Sequence, residues 1–423
     1  MCRLKINGGR KLSGSIAVQG AKNSVLPILA ATVLCDGVSV IHGCPALLDV
    51  DSAAEILKYT GCKVKREGNT VTVDASNVLP CEFPASLMHR MRSSITFLGA
   101  LTARCKRIKM GMAVISSPGG CELGPRPIDL HIKGLRELNI KTEEYGGFIE
   151  TAADDILGND IHLDFPSVGA TENIMLAAVL AKGKTTINNA AKEPEIWDLQ
   201  CFLKKMGAKI SGAGTDRIEI EGVKKLGGAE HTVIPDRIVA STYLCAAAMC
   251  GGKIELRNIE PLHINSVLSV LKQTGTPVTV NGKSVLLESP ERLSCVDMIR
   301  TMPYPGFPTD AQAAASVMLS VADGTSVILE NIFENRFKHL GELGKMGADI
   351  KMSGKVAVIR GVKELYGASV SAMELRGGAA LVCAGCRAHG ETQVLDIEHI
   401  ERGYADIAAD LSALGADICR IGQ

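Results

Sequence analysis

The sequence predicts an α/β protein made of six repeated units in two halves. A first observation is a short signature in which leucine is followed four residues later by glycine or asparagine, and then usually by a β-branched residue. A second is an alanine-rich apolar run ahead of each signature, and a third is a short strand pattern that follows most of these runs. Glycine and asparagine readily adopt the left-handed conformation that ends a helix, so each signature predicts a helix followed directly by a strand.

The copies of the signature are evenly spaced along the chain. Successive glycine or asparagine positions lie 68 residues apart, except for one interval of 72 residues and a longer first interval of 78 residues. The copies occupy residues 57–61, 135–139, 203–207, 271–275, 343–347 and 411–415. Even spacing is typical of a repeated fold, and we therefore expect two α/β domains of three units each, meeting near residue 235.

The apolar runs predict helices that are buried on nearly all sides. These helices are expected at residues 25–34, 95–103, 173–181, 241–250, 311–320 and 378–386. Strands are expected at residues 15–18, 38–41, 185–187, 232–234, 253–256, 326–329 and 393–395. The longer first interval holds an additional loop, and an insertion into one copy of a repeat is a frequent place for function.

The composition narrows the class of protein. The 423 residues contain 46 basic and 46 acidic side chains, and 46% of the residues are hydrophobic. A neutral chain without a basic patch argues against nucleic acid or a membrane as the main partner. The 14 cysteines lie in a long chain whose start shows no signal-like apolar region, so we expect free thiols and a cytoplasmic location.

The inserted loop, residues 117–131, is the most distinctive stretch of the sequence. Three glycines and three prolines surround a single thiol, Cys121, which is followed five residues later by Arg126. Such a density of glycine and proline predicts a defined loop, and the residues after it predict a helix. A thiol near a guanidinium is placed where its pKa falls and its reactivity rises. The alternative is a surface loop with an incidental cysteine.

The motifs resemble those of the enolpyruvyl transferases, and in particular the branch that acts on UDP-N-acetylglucosamine. The resemblance runs from end to end and is specific in its order and spacing. It comprises residues 20–24, 91–95, 117–131, 167–171, 193–195, 235–237, 307–312, 333–337, 375–376 and 399–404. It implies two inside-out α/β domains with helices in their cores, one of residues 22–234 and one of residues 1–21 with 235–423.

The resemblance implies transfer of the enolpyruvyl group of phosphoenolpyruvate to the 3′-hydroxyl of UDP-N-acetylglucosamine, with release of phosphate. This reaction is the first committed step of peptidoglycan synthesis, and so belongs to cell-wall formation, cell shape and division. The substrates are small molecules, and no cofactor or metal is implied. Two alternatives stay open: a catalytically silent paralogue that binds a UDP-sugar and regulates, and the related branch that uses shikimate 3-phosphate. The branch that uses shikimate 3-phosphate lacks the Pro-Gly-Gly-Cys loop.

The resemblance also assigns roles to individual residues. Cys121 is expected to be the general acid and Asp310 the base, with Lys22 and Arg402 completing the catalytic set. The residues expected to bind phosphoenolpyruvate are Lys22, Asn23, Arg126, Arg376 and Arg402. Those expected to bind the nucleotide sugar are Asn23, Arg92, Arg126, Pro127, Ile128, Asp129, Leu130, Ser167, Val168, Gly169, Asp310 and Ile332. Cys121 is also expected to react with the phosphonate epoxide fosfomycin.

Physical chemistry supports these roles, but the local sequence around each residue also allows a simpler structural interpretation. Guanidinium groups suit phosphate and carboxylate, although an isolated arginine is more often a solvated surface group. Asp310 precedes a buried helix, where the plain reading is a helix N-cap. Leu48 and the Phe165-Pro166 pair stand where some family members carry lysine, so one or two cations are missing. The cysteine and histidine spacings predict no metal site, and no nucleoside-triphosphate motif occurs.

Overall fold

The computed structural model describes residues 2–111 and 128–422, which contain thirteen α-helices and 24 β-strands. The helices are α1 (Lys22–Ala31), α2 (Leu48–Tyr59), α3 (Ala85–Met88), α4 (Phe97–Cys105), α5 (Asp129–Glu137), α6 (Val168–Ala178), α7 (Pro194–Lys205), α8 (Arg237–Cys250), α9 (Asn265–Gln273), α10 (Thr309–Leu319), α11 (Lys338–Lys345), α12 (Leu375–Arg387) and α13 (Ile407–Ala413). Short 3₁₀ segments occupy Thr32–Leu34, Arg92–Thr96, Pro261–Ile264 and Ile397–Arg402.

The strands are short, most of them of five residues or fewer. They are β1 (Arg3–Asn7), β2 (Leu12–Ala17), β3 (Val38–His42), β4 (Lys63–Glu67), β5 (Thr70–Asp74), β6 (Glu82–Phe83), β7 (Arg107–Gly111), β8 (Lys141–Tyr145), β9 (Phe148–Ala152), β10 (Asp160–His162), β11 (Lys184–Asn188), β12 (Lys209–Ser211), β13 (Arg217–Glu221), β14 (Glu230–Thr232), β15 (Gly252–Arg257), β16 (Val278–Asn281), β17 (Ser284–Glu288), β18 (Met298–Arg300), β19 (Thr325–Leu329), β20 (Asp349–Ser353), β21 (Val356–Arg360), β22 (Ser369–Ser371), β23 (Glu391–Leu395) and β24 (Asp417–Ile421).

The described residues form six four-stranded sheets of one pattern, in which one edge pair is parallel and the other two pairs are antiparallel. In strand order, three sheets are β14-β3-β5-β4, β6-β7-β9-β8 and β10-β11-β13-β12. The other three are β16-β17-β15-β2, β18-β19-β21-β20 and β22-β23-β1-β24. One topology repeated six times is the structural counterpart of the repeated signature, and it confirms the predicted α/β class.

The chain divides into two compact units, each holding three of the sheets. The described part of one unit comprises residues 20–111 and 128–234, and that of the other comprises residues 2–19 and 235–422. Strands β1 and β2 belong to the second unit, because β1 pairs with β23 and β24 while β2 pairs with β15. The first seventeen residues therefore complete two sheets of the C-terminal unit.

Buried helices form the core of each unit, as the apolar runs predict. In the C-terminal unit α8, α10 and α12 pack against one another, and almost every residue of these helices is buried. In the N-terminal unit α4 packs against α6 and α1, while α1 also contacts α2 and α7. Small residues permit the close approach: a Cβ added at Gly99 of α4 would lie 2.3 Å from the Asn173 carbonyl oxygen of α6.

The six signature positions end their helices as predicted. Each has a positive φ, between 63° at Asn139 and 103° at Gly207. Five of the six predicted helix starts are two to five residues too late: α1 begins at Lys22, α6 at Val168, α8 at Arg237, α10 at Thr309 and α12 at Leu375. These first turns carry polar residues that an apolar pattern does not detect, and several of them are candidate site residues.

Candidate functional site

Lys22 is the first residue of α1 and forms a buried ion pair. Its Nζ lies 2.6 Å from Oδ2 of Asp49, in the first turn of α2, and both side chains are nearly inaccessible to solvent. A buried cation is tolerated only when such a partner compensates for the lost hydration. The neighbouring Leu48 is 44% exposed, so the side chain at this position faces solvent.

A second buried carboxylate fixes the start of α1. Asp198 of α7 accepts hydrogen bonds through Oδ2 from the Ser24 hydroxyl and, at 3.2 Å, from the Ile234 amide. Its Oδ1 lies 2.8 Å from Nε2 of His231. Asp198 and His231 are both buried. Because Ser24 lies one turn or less from Lys22 and Asn23, this network sets the position of both candidate residues.

The Ser167–Gly169 segment lies at the N-terminus of α6, which begins five residues before the predicted helix. Ser167 is the N-cap, and its side chain accepts a hydrogen bond from the Ala170 amide at 3.3 Å. A helix N-terminus presents amide N–H groups and a partial positive charge, which favour an anionic ligand. The preceding Phe165 is 46% exposed and supplies no charge.

His131 of α5 lies against Gly169, so the starts of α5 and α6 are neighbours. A Cβ at Gly169 would lie 2.9 Å from Cε1 of His131, which explains why glycine stands there. Nδ1 of His131 accepts a hydrogen bond from the Asn173 amide group at 2.7 Å. Burial lowers the pKa of His131 to about 4, although Asp129 opposes the shift. The imidazole is therefore neutral near pH 7, with its proton on Nε2.

The remaining candidates of the N-terminal unit are only partly described. Ile128 precedes α5, while Asp129 and Leu130 form its first turn. Arg92 begins the 3₁₀ segment ahead of α4. Cys121, Arg126 and Pro127 lie outside the described residues, and their expected roles stay predictions.

Asp310 is bound by two guanidinium groups in the C-terminal unit. Nη2 of Arg336 lies 2.7 Å from Oδ1 of Asp310, and Nη2 of Arg376 lies 3.3 Å from Oδ2. Both arginine side chains are almost completely buried, whereas that of Asp310 is 27% exposed. The two buried arginines thus hold the carboxylate from the protein interior, while part of the Asp310 side chain remains accessible to solvent.

The plain reading of Asp310 as a helix N-cap is wrong. The N-cap of α10 is Pro308, which makes no side-chain cap bond, and Asp310 is the second helical residue. Asp236, by contrast, is a true N-cap, because it accepts hydrogen bonds from the amides of Ile238 and Val239. The Asp310 carboxylate binds the two arginines from its place in the first turn of α10.

Arg376 is held by an aromatic ring as well as by carboxylates. Its guanidinium carbon lies 5.6 Å from the centre of the Tyr404 ring, within the range of a cation–π contact. The Tyr404 hydroxyl lies 2.7 Å from that of Thr242. Burial acts to lower the pKa of Arg376, but Asp310 and Tyr404 outweigh it and the net shift is upward. Arg376 therefore stays charged inside the unit.

Glu374 organises the start of α12, where Arg376 lies. It is the N-cap of this helix and accepts hydrogen bonds from the amides of Arg376 and Gly377. Its Oε2 also lies 3.9 Å from Nη1 of Arg336. Two carboxylates, Asp310 and Glu374, thus face two buried arginines. Arg402, at the end of a 3₁₀ segment rather than at a buried helix, remains partly exposed.

Glu330, which the sequence analysis missed, connects the candidate residue Ile332 to Thr309, the chain neighbour of Asp310. It follows β19 and is 1% exposed. Its Oε2 accepts a hydrogen bond from the Thr309 hydroxyl, and its Oε1 accepts from the amides of Ile332 and Phe333. No local pattern marks such a residue, whereas Arg336 lies in a motif that the resemblance included without assigning a role.

The described residues offer no alternative metal centre. Within residues 2–111 and 128–422, no group of three or more histidine, cysteine, aspartate or glutamate side chains is arranged to hold a metal ion. The thirteen described cysteines are free thiols. In this same part of the chain no helix is both long and apolar enough to span a membrane.

Comparisons with known proteins agree with this architecture. The profile of the EPSP synthase (3-phosphoshikimate 1-carboxyvinyltransferase) family matches residues 6–411. UDP-N-acetylglucosamine 1-carboxyvinyltransferase 2 of Caldanaerobacter subterraneus subsp. tengcongensis is 56% identical, with both chains covered completely. UDP-N-acetylglucosamine 1-carboxyvinyltransferase 1 of Symbiobacterium thermophilum is 49% identical, over 99% of this chain and 95% of its own.

A solved structure extends the agreement to three dimensions. The crystal structure of the enolpyruvyl transferase NikO from Streptomyces tendae superposes with a TM-score of 0.89 at 26% identity, covering 99% of both chains. The profile match, the full-length relatives and this superposition all lead to one assignment. The chain belongs to the enolpyruvyl transferase family.

Proposed function

We propose that this protein transfers the enolpyruvyl group of phosphoenolpyruvate to the 3′-hydroxyl of UDP-N-acetylglucosamine and releases phosphate. The observation that carries the proposal is the arrangement at Asp310, a partly exposed carboxylate whose oxygens are fixed by Arg336 and Arg376. A carboxylate held in this way is a defined acceptor for the proton of a substrate hydroxyl. The full-length relatives named for this activity support the choice of substrates.

The proposed reaction requires two proton movements. The sugar 3′-oxygen adds to C2 of phosphoenolpyruvate, its proton passes to Asp310, and a proton from the Cys121 thiol is added at the methylene carbon. A proton of the methyl group so formed then returns to the Cys121 thiolate while the C2–O bond to phosphate breaks, which restores the double bond and leaves the enol ether and inorganic phosphate. The proton on Asp310 passes to the departing phosphate or to water. A thiol suits the acid role, because its ordinary pKa lies close to physiological pH.

Cations would neutralise the phosphate and carboxylate of phosphoenolpyruvate. We assign this role to Lys22, Arg126, Arg376 and Arg402, with Asn23 beside Lys22. The buried ion pair of Lys22 and the cation–π contact of Arg376 support the assignment, since both hold a charge in a fixed position. Charges fixed before the substrate binds need little reorganisation during the reaction.

The nucleotide sugar would contact a larger set of residues. The amides at the start of α6 suit its diphosphate, which supports the assignment of Ser167, Val168 and Gly169. The other residues in the proposal are Asn23, Arg92, Arg126, Pro127, Ile128, Asp129, Leu130, Asp310 and Ile332. We also propose a cytoplasmic role in peptidoglycan synthesis, and domains of residues 22–234 and of 1–21 with 235–423.

The test measures phosphate release from phosphoenolpyruvate with each of two acceptors. The proposal predicts release with UDP-N-acetylglucosamine and none with shikimate 3-phosphate. Asp310→Asn should abolish most of the release while the protein still binds the nucleotide sugar. Asp164→Asn is the matched control, because Asp164 is an exposed carboxylate paired with Lys133. Release with shikimate 3-phosphate alone would contradict the proposal, and binding of the nucleotide sugar without turnover would favour a silent paralogue.

A further inference from the structure

Glu330 is a buried carboxylate that accepts hydrogen bonds from three uncharged donors. It is 1% exposed, and its partners are one hydroxyl and two backbone amides. A carboxylate removed from water is costly unless hydrogen bonds replace its hydration. Glu330 therefore fixes the geometry of its three donors strongly, because all of them are needed to keep it in place.

The three donors belong to two separate parts of the C-terminal unit. Thr309 begins α10 and is the chain neighbour of Asp310, and its hydroxyl lies 3.0 Å from Oε2 of Glu330. The amides of Ile332 and Phe333 lie 2.8 Å and 3.1 Å from Oε1. One side chain thus ties the helix start that carries Asp310 to the loop that carries Ile332.

The same loop reaches α10 a second time. Arg336, six residues after Glu330, binds Oδ1 of Asp310 at 2.7 Å. The loop is also anchored beyond β18, because the Asn331 amide donates to the Thr301 hydroxyl at 2.8 Å. The loop and the start of α10 are therefore connected at two points, Thr309–Glu330 and Asp310–Arg336. A purely local turn cap would not include the distant Thr309.

We propose that Glu330 is a positioning residue that sets the carboxylate of Asp310 relative to the backbone at Ile332. The inference rests on the proposed function, in which Asp310 accepts the proton of the sugar hydroxyl and Ile332 contacts the nucleotide sugar. Glu330 does not touch substrate in this scheme. It acts through Thr309 on the chemical step and through the Ile332 amide on binding of the nucleotide sugar.

The two connections can be separated by substitution. Thr309→Val removes only the hydroxyl that bonds to Glu330, so kcat should fall about 10-fold with both KM values unchanged, since small misplacements of reacting groups slow chemistry selectively. Glu330→Ala removes both connections, so kcat should fall about 100-fold and KM for UDP-N-acetylglucosamine should rise about 10-fold. KM for phosphoenolpyruvate should change in neither variant.

Conservative variants and a control separate positioning from general stability. Thr309→Ser keeps the hydroxyl, and Glu330→Gln keeps an acceptor for the amides while its NH₂ group donates to Thr309, so both should stay within about 3-fold of wild type. Thr274→Val is the control, because Thr274 is buried in the same unit and bonds to Leu271 and Thr276 instead. This control should keep wild-type kinetics.

The outcomes distinguish the inference from the function on which it rests. If the wild type is active and Thr309→Val has an unchanged kcat, the positioning role of Glu330 is overturned while the proposed function stands. This outcome is decisive even if Glu330→Ala fails to fold. An equal loss in Thr274→Val, or an equal rise of KM for phosphoenolpyruvate, would also overturn it. A folded wild type without activity towards UDP-N-acetylglucosamine would overturn both the proposed function and the inference.

Discussion

Acid should destabilise this protein through His131, by an amount that follows from the buried imidazole. Nδ1 of His131 accepts a hydrogen bond from Asn173, which a protonated ring cannot do, and burial lowers the pKa to about 4 from the ordinary 6.5. The unfolded chain therefore binds a proton at a higher pH than the folded chain. Stability from this group is complete above pH 6.5 and is lost as the pH falls from 6.5 towards 4.

The size of the effect can be calculated from the two pKa values. At pH 5 the unfolded histidine is almost fully protonated and the folded one is not, which costs about 2 kcal/mol of unfolding free energy. At pH 7 the same expression gives about 0.2 kcal/mol. His131→Gln keeps an acceptor for Asn173 but does not titrate. Between pH 7 and pH 5, the unfolding free energy of the variant should therefore fall by about 2 kcal/mol less than that of the wild type.

Urea unfolding at pH 7 and pH 5 measures how the unfolding free energy of each protein changes with pH, and so gives the difference between variant and wild type directly. The fluorescence of the single tryptophan and the far-ultraviolet circular dichroism report unfolding. His162→Gln is the control, because His162 is an exposed histidine of the same unit and should leave the pH dependence of the wild type unchanged. If His131→Gln and wild type lost equal free energy between pH 7 and pH 5, the account of His131 as a buried neutral acceptor would be refuted.

Three further predictions concern the candidate site. Arg336→Met should lower kcat about 100-fold and cost about 3 kcal/mol of unfolding free energy, because it removes the buried guanidinium that binds Asp310 and lies close to Glu374; a kcat equal to that of the wild type would argue against the role of the Asp310–Arg336 pair. Asp198→Asn should raise KM for phosphoenolpyruvate about 10-fold through the displaced Lys22, with Asp164→Asn as the unaffected control in the same kinetic assay. Fosfomycin should label Cys121 alone among the 14 thiols, as peptide mass spectrometry would show, and labelling spread over several cysteines would contradict this.

The last of these predictions gains support from the described thiols. Burial raises the pKa of Cys245 and Cys386 to about 12, and it also raises that of Cys383. A thiol with such a pKa is almost entirely protonated at neutral pH and reacts slowly with an epoxide. These three buried thiols are therefore not expected to compete with Cys121 for the epoxide.

The repeated elements of the fold could be predicted because their signals are local. Only glycine and asparagine adopt a positive φ without strain, so Gly61, Asn139 and their four counterparts marked the ends of six helices. The buried helices were found from their apolar composition. Most of their starts were placed too late, because residues such as Lys22 and Thr309 belong to polar first turns whose burial depends on partners elsewhere in the chain.

The resemblance proposed members of the candidate site but not the connections between them. Resemblance supplied Asp310 and Arg376, which contact each other across 66 residues of sequence. Arg336 and Glu330 were assigned no role, because a side chain that acts through hydrogen bonds to distant residues leaves no periodic or spacing signal. The geometry also corrected the reading of Asp310 as an N-cap, since its partners are side chains of other elements.

The most direct test of the central claim is the structure of the product formed in deuterated water. Wild-type protein, phosphoenolpyruvate and UDP-N-acetylglucosamine should give an enol ether on the 3′-oxygen, identified by proton nuclear magnetic resonance and mass spectrometry. Since the proposed addition brings a solvent-exchangeable proton to the methylene carbon, the vinyl group should carry deuterium. A product substituted at another oxygen, a vinyl group without deuterium, or no product from this sugar nucleotide would contradict the account.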